Sequence, residues 1–372
     1  CTMRIGIDAR MLDNTGVGRY LRNLLIHLAR LDDRNEYIVF INQTNSRVIA
    51  QANFQFVPLT LATPLYSLRE QYWLPLEIRR WGLDFCHYPN FSLPLIHTCP
   101  FLVTIHDLIY YLYPDQCPSL AAHHGARFML RFAARHARAI ITVSEHSKRD
   151  IVRYLQVPPE RIRVILHAAD PDATAVRPET APLSHRGIVQ PYILYVGKHH
   201  LYKNIATLLH AYVMHPDIYN RYQLVVAGKR DGRQNALYHE ATTLDPGHRI
   251  LFTDFVADAE LFDLYRGASL FVFPSMYEGF GLPPLEAMAC GVPVITSNAA
   301  SLPEVVGDAA IQFDPVNVRE LAAAMRTVLT DPELQASLRQ KGLERARQFS
   351  WDTAARQLLQ VYESLDPRRS HV

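Results

Sequence analysis

Residues 270–297 constrain this chain more than any other stretch. Leu270–Phe273 is wholly apolar and long enough for a buried strand. It leads into 274–281, a loop with two glycines, whose backbone can approach a ligand closely, and one acid, Glu278. Pro283 and Pro284 suit the first turn of a helix, where a missing N–H is no loss, and Gly291 and Pro293 end that helix early. A second strand is expected at 292–296. Such a strand–loop–helix–strand unit aims the N–H groups of Phe280, Gly281 and Leu282 along a helix N-terminus, a ready site for a phosphate. Glu278 lies in the loop and Glu286 within the helix. They cannot share a helical face, but both can flank a ligand over the helix start. For Glu286 there is also a plainer reading, since an acid in a first turn complements the helix dipole.

Short apolar runs alternate with helical patterns throughout. Strands are expected at 4–8, 37–42, 54–58, 85–88, 101–105, 139–143 and 161–166. After a proline-punctuated stretch without periodicity at 167–190, they resume at 192–196, 223–227 and 250–253. Helical patterns fall between them, including 19–31 with Leu21, Leu24, Leu25 and Leu28 on one face, and a run to 155 capped by Ser144. Alternation of this kind builds parallel sheets, and 372 residues exceed a single core. The expected organisation is two α/β domains, 1–172 and 173–350, followed by an amphipathic helical segment at 351–372.

The totals exclude several classes. A net charge of +2 with 20% charged residues demands no nucleic-acid partner. No apolar run approaches the roughly 18 residues of a membrane span, and a strand pattern at 4–8 leaves a signal peptide unexpected. The five cysteines lack C-x-x-C or mixed Cys/His spacing, so no metal site is expected and a reduced, cytoplasmic setting fits. Residues 1–178 hold 20 basic and 15 acidic side chains against 18 and 21 in the remainder, an imbalance that could orient the first half on an anionic membrane.

Several groups outside 270–297 carry possible chemistry. Gly16-Val17-Gly18 opens the first helix and outlines a phosphate cradle, although a tight turn needs glycine equally often. His106 closes the strand at 101–105. A histidine there is commonly structural, yet ligands of open α/β sheets bind outside those strand ends; Asp107 is expected to orient loop backbone. Arg127, Arg131, Arg135 and Arg138 recur at helical spacing, either as a solvated face or as a contact for anionic lipid or a phosphorylated acceptor. Lys198 and Lys203 sit beyond the strand at 192–196 and could clamp a diphosphate, exposed lysines being the ordinary alternative. Gly228-Lys229 could edge the same pocket.

The run Glu278-Gly279-Phe280-Gly281-Leu282-Pro283-Pro284-Leu285-Glu286 resembles the E-x7-E motif of retaining glycosyltransferases of the GT-B fold, family 4, and 287–293 with Ser301-Leu302-Pro303-Glu304 resembles its continuation. The resemblance covers the whole chain and implies two Rossmann-like domains facing across a cleft, with the last helix crossing back to the N-terminal, acceptor-binding domain. It implies that Glu278 lies by the donor sugar, that Glu286 holds the ribose hydroxyls and that the amides of Gly279, Phe280, Gly281 and Leu282 take the diphosphate. Gly16 and Gly18 would approach the donor phosphates, Lys203 matches the family's basic Lys-Asn pair, and backbone near Val256 would read the base. His106, in a T-x-H-D pattern, would contact the transferred sugar. Three positions depart from the pattern: 167–170 lacks the usual glycine-containing turn, Tyr202 stands for a frequent Arg, and Asp254 for a usual glycine.

The resemblance implies transfer of a hexose from a nucleotide-diphosphate sugar, with attack on the face the leaving group departs from and the leaving phosphate taking the acceptor's proton. Lys198, Lys203 and the helix terminus would stabilise the departing diphosphate without a metal. Ser67-Leu68-Arg69-Glu70-Gln71, His87-Tyr88-Pro89-Asn90 and 104–107 resemble the mannosyltransferase branch, so GDP-mannose is the first expected donor. The expected acceptor is a saccharide, lipid-linked, in surface polysaccharide synthesis. Rivals are a UDP-sugar donor, an epimerase or hydrolase on the same fold, a metal-dependent transferase using Asp170-Pro171-Asp172, which otherwise reads as turn chemistry, and a scaffold without activity.

Overall fold

The computed structural model describes residues 2–14, 16–42, 49–60, 63–174, 183–189, 191–366 and 368. In chain order the first part carries β1 (Arg4–Asp8), α1 (Val17–Leu31), β2 (Glu36–Ile41), β3 (Phe54–Pro58), α2 (Leu68–Arg79), β4 (Phe85–Tyr88), β5 (Phe101–Thr104), α3 (Ile109–Leu112), α4 (Leu120–His136), β6 (Ala139–Thr142), α5 (Glu145–Leu155) and β7 (Ile162–Val164). The second part carries α6 (Pro171–Thr174), β8 (Tyr192–Val196), α7 (Ile205–Val213), α8 (Pro216–Arg221), β9 (Gln223–Ala227), α9 (Asn235–Leu244), β10 (Ile250–Asp254), α10 (Asp258–Arg266), β11 (Leu270–Phe273), α11 (Leu282–Ala289), β12 (Val294–Ser297), α12 (Leu302–Val306), β13 (Ile311–Phe313), α13 (Val318–Thr330) and α14 (Pro332–Ala346), and α15 (Trp351–Ser364) ends the series.

The chain divides into two compact units, 1–167 with 350–372, and 168–349. The first is built on a seven-stranded sheet ordered β3-β2-β1-β4-β5-β6-β7, the second on a six-stranded sheet ordered β10-β9-β8-β11-β12-β13. All pairings are parallel, with Ile5 opposite Tyr37 on one side and Phe85 on the other. Parallel sheets are covered by helices on both faces, which is why β5, β11 and β12 read as unbroken apolar or small-residue runs and, like β4, are buried at every position. Leu21, Leu24, Leu25 and Leu28 are the buried face of α1, and Ser119, Ser144 and Ser350 cap α4, α5 and α15 through their hydroxyls.

In each sheet the strand order reverses direction once, between β1 and β4 and between β8 and β11. Those switch points open a crevice beyond the carboxyl ends of the strands, where ligands of such sheets bind. α15 returns to the first unit, as the family resemblance implies, and packs on α1. Its Asp352 meets His27 Nδ1 at 2.6 Å, and its Tyr362 hydroxyl meets His87 Nδ1 at 2.7 Å. The expected linker falls partly on 175–182 and 190, outside the described residues. Residues 168–174 side with the second unit, where α6 lies on α11 and Cys290 Sγ reaches the Ala173 carbonyl at 3.6 Å. No helix among the described residues is long and apolar enough to cross a membrane.

Candidate active site

In the second unit the loops leaving β8 and β11 meet at the switch point. Lys203 Nζ lies 2.5 Å from Glu278 Oε1, and each side chain is only 12% exposed. The ammonium also lies over the rings of Tyr202 and Phe273, at 5.1 and 5.2 Å. Lys203 is therefore no solvated surface lysine. Lys198 is more exposed; partial burial and the ammonium groups of Lys229 and Lys203 push its pKa down. Cations crowded together in this way favour the arrival of an anion.

Two residues that the sequence reading passed over hold these loops in register. Asn204 sits at φ 57, ahead of α7, and its Nδ2 donates to the Pro274 and Pro315 carbonyls at 3.2 and 2.8 Å, tying the lysine loop to β11's exit. Asparagine tolerates that left-handed backbone better than most residues. Ser301, fully buried, places its hydroxyl 3.0 Å from the Glu278 carbonyl and 2.7 Å from that of Phe280. The signals were the Asn of the Lys-Asn pair and the Ser that opens the motif's continuation. Gly281 caps α11 at φ 114 without a side-chain cap, and a Cβ there would meet Leu302 Cδ2 at 2.8 Å. Glycine is thus the residue that lets the loop turn into the helix.

Glu286 corrects the expectation of a first-turn acid. No acid stands in the first turn of α11, and Glu286 is 1% exposed with its Oε2 accepting from the Tyr265 hydroxyl at 3.2 Å. Its position is fixed by burial, not by the helix dipole. Val256 is likewise buried, after the exit of β10. Nearby Asp254 takes φ 56, the conformation a glycine would adopt, and pairs with Arg230 at 3.1 Å. Arg230 lies over Tyr238 and Phe252, and His199 packs on both rings. His199 Nδ1 meets the Tyr238 hydroxyl at 3.0 Å, while burial and then Arg230 lower its pKa to about 4.

In the first unit, Gly16 begins α1 at φ 67 with open space where a side chain would stand, Val17 follows, and Thr15 lies outside the described residues. Gly18 answers a packing need, because a Cβ there would fall 2.5 Å from the Leu12 carbonyl oxygen. His106 donates from Nε2 to the Pro89 carbonyl at 2.9 Å, which leaves Nδ1 as its acceptor. Burial lowers its pKa to about 4, partly offset by that bond. Its ring meets Tyr20 edge-on at 5.0 Å and His167 at 5.6 Å, and His167 stacks on Tyr20 and on Trp351 of α15. Thr104, two residues before His106, is reached by His87 Nε2 at 2.8 Å. Burial and then His106 push the pKa of His87 down to about 3. Asp107 accepts from the Ile109 amide at 2.9 Å, the loop-orienting role expected of it.

Arg127 and Arg131 lie over the Tyr111 ring at 4.6 and 5.1 Å, and Arg131 also donates to its hydroxyl, whereas Arg135 is exposed. Asp170 accepts from the Asp172 amide at 3.1 Å, so the run expected as a turn, Asp170-Pro171-Asp172, instead starts the short helix α6.

Residues 187–345 match the family of glycosyl transferases group 1, and 14–173 match Glycosyltransferase Family 4. The chain is 35% identical to the O-antigen chain mannosyltransferase B of Escherichia coli over 94% of its own length and 96% of that protein. It is 33% identical to the serotype-specific mannosyltransferase WbdA of Escherichia coli over 59% of its own length, spanning 28% of that longer protein. Among solved structures, a sucrose-phosphate synthase from Thermosynechococcus elongatus superposes with a TM-score of 0.76 at 21% identity, covering 98% of this chain and 99% of that one. Two parallel-sheet Rossmann-like units, matched along nearly their whole length, place this chain in the family of group 1 glycosyl transferases.

Proposed function

We propose that this protein transfers mannose from GDP-mannose, with retention at the anomeric carbon, to a lipid-linked saccharide in surface polysaccharide synthesis. The observation that carries the reading is the Lys203–Glu278 pair at the β8/β11 switch point, with Lys198 and Lys229 beside it. Mannose is favoured by these two relatives, both mannosyltransferases.

The Lys203 ammonium and the Glu278 carboxylate lie against each other. A diphosphate brings a competing anion, which Lys203, Lys198 and the N–H groups at the start of α11 stabilise as the anomeric C–O bond breaks. Glu278 then holds donor hydroxyls beside the developing positive charge, and Glu286 holds the ribose. The acceptor oxygen attacks on the face the diphosphate leaves, and its proton passes to the departing phosphate oxygen. No divalent metal is required. The His199–Tyr238–Phe252 cluster edges the base, and Gly16, Val17, Gly18 and His106 keep the roles the family gives them. A thermal-shift panel of GDP-, UDP- and ADP-sugars should show the largest rise with GDP-mannose, and turnover should survive excess EDTA. A larger rise with a UDP-sugar, or total loss of turnover with EDTA, would overturn the donor or the metal-free reading respectively.

The exposed side chains of α4 fit peripheral contact with an anionic membrane. Leu120 and Phe128 are 69% and 55% exposed beside exposed Arg131 and Arg135, with Arg127 braced behind them on Tyr111. Co-sedimentation with phosphatidylglycerol vesicles, but not phosphatidylcholine vesicles, should fall when Arg131 and Arg135 are changed to Glu; equal sedimentation with both lipids would remove this part.

A further inference from the structure

Three sequence runs set aside as marks of a subfamily, 67–71, 87–90 and 104–107, converge in the first unit on one exposed aromatic residue. Glu70 and Ser92 hold the Tyr66 amide, at 3.0 Å to Glu70 Oε2 and 3.1 Å to Ser92 Oγ, and the Tyr66 hydroxyl donates to Asn90 Oδ1 at 3.1 Å. Pro89, next in the chain to Asn90, accepts from His106. Gln71 ties α2 to the segment after Asn90 through the Leu93 carbonyl and the Leu95 amide. The five-residue run is thus a brace: Ser67 caps α2, Glu70 and Gln71 grip neighbouring loops, and Tyr66 is what the brace presents.

The brace is built on a buried charge cluster. Glu70, 1% exposed, accepts from Arg10 Nη2 at 2.6 Å, and the same guanidinium binds Asp8 at the end of β1. Those groups hold Tyr66 at φ 59, a conformation that disfavours an aromatic residue. Yet the side chain held there is 57% exposed. Phe91 lies 5.6 Å from the Tyr66 ring and 6.1 Å from that of Tyr110, itself 40% exposed. Asn90 Nδ2 makes no hydrogen bond among the described residues. The position is beyond the carboxyl ends of β1 and β4, this sheet's switch point.

We propose that Tyr66 and Asn90, with Tyr110 alongside, form the subsite for a neutral pyranose unit of the acceptor. A pyranose offers an apolar C–H face that packs on an aromatic ring and edge hydroxyls that an amide donor and a phenol oxygen can bind. Burial, then Tyr110, Glu70 and Asp107 push the pKa of the Tyr66 hydroxyl up against the opposing pull of Arg10, a setting that favours an uncharged sugar over a phosphate or nucleotide. The strained backbone fixes the ring before the sugar arrives, which lowers the ordering cost of binding.

The subsite rests on the mannosyltransferase reading, so the test separates the two. Tyr66→Gly keeps the backbone accessible while removing the ring, and Tyr66→Phe keeps the ring. With labelled GDP-mannose and α-1,3-mannobiose as acceptor, Tyr66→Gly should raise acceptor KM by roughly tenfold or more, the loss of one stacking contact. Asn90→Ala should do the same, and Tyr66→Phe should stay within about threefold of the parent, lacking one hydrogen bond. Acceptor-independent GDP-mannose hydrolysis and the thermal shift with GDP should be unchanged in all three. Acceptor KM within twofold of the parent in Tyr66→Gly, or an equal fall in hydrolysis, would overturn the proposal. If the unmodified protein turns over no GDP-mannose, saturation-transfer NMR of mannobiose decides the subsite alone: binding lost in Tyr66→Gly supports it, and no binding or retained binding refutes it.

Discussion

The two sheets place their switch points alike but fill them differently. Beyond β8 and β11 stands a partly accessible ion pair, Lys203–Glu278, whose members come from loops held by Asn204 and Ser301. Beyond β1 and β4 the ions, Asp8, Arg10 and Glu70, are buried and fully engaged, and the accessible groups above them are Tyr66 and Asn90. Charge in reach of solvent suits a charged ligand that must be gripped and then released; charge sealed beneath aromatic rings makes a rigid platform for an uncharged one. The same strand order thus carries two charge arrangements, one ion pair partly accessible and one cluster buried.

The largest effect should come from the accessible carboxylate. Glu278→Gln should lower kcat by about 10²–10³-fold, the loss of a preorganised charge at the reacting centre, with a far-UV spectrum like the parent's. A fall under tenfold would place Glu278 outside the reacting groups. The buried ions should answer in stability. Arg10→Ala leaves two carboxylates uncompensated and should cost about 3–5 kcal/mol, read by urea unfolding. A cost under about 1 kcal/mol, the scale of surface pairs, would erase the contrast between the two crevices.

Acid should weaken the first unit. His87 and His106 have folded pKa values of about 3 and 4, and that of His167 also lies well below its ordinary value, all chiefly through burial. Each is neutral when folded and protonates more readily when unfolded, so the unfolded chain binds more protons below about pH 6.5. Stability of the first unit should be intact above that pH and decline as pH falls toward 4, monitored by tryptophan emission from Trp351. His106→Gln should flatten the decline, and an unchanged profile would show that these histidines do not set it. The smallest effect belongs to the loop tie: Ser301→Ala should cost about 1 kcal/mol and lower kcat modestly, and an unaltered kcat would make Ser301 a matter of folding alone.

The same contrast explains what could be read from the chain alone. Strands such as Leu270–Phe273 and Phe101–Thr104 declare themselves because both faces are buried. β13 and α12, three and five residues long, are set by packing and leave no usable period. The second unit's candidate site was legible because its acids, glycines and helix start lie within one short run. In the first unit the reading reached Gly16-Val17-Gly18 and His106 but not Tyr66, which joins Asn90 only through sheet topology, and the aromatic stack on Tyr20 draws its Trp from position 351. Glu70 and Gln71 were noticed for their resemblance, but their work as a brace depends on Arg10 and Leu95, partners too far along the chain for any pattern to suggest.

Because α15 belongs to the first unit while residues 168–349 lie between, a ribosome must make about 180 further residues before that unit can be finished, roughly 10–40 s of translation. Until then His87 lacks Tyr362, and His167 lacks Trp351. The ordered surroundings of His106 are therefore completed last, and a chain that stops short of α15 leaves them unfinished.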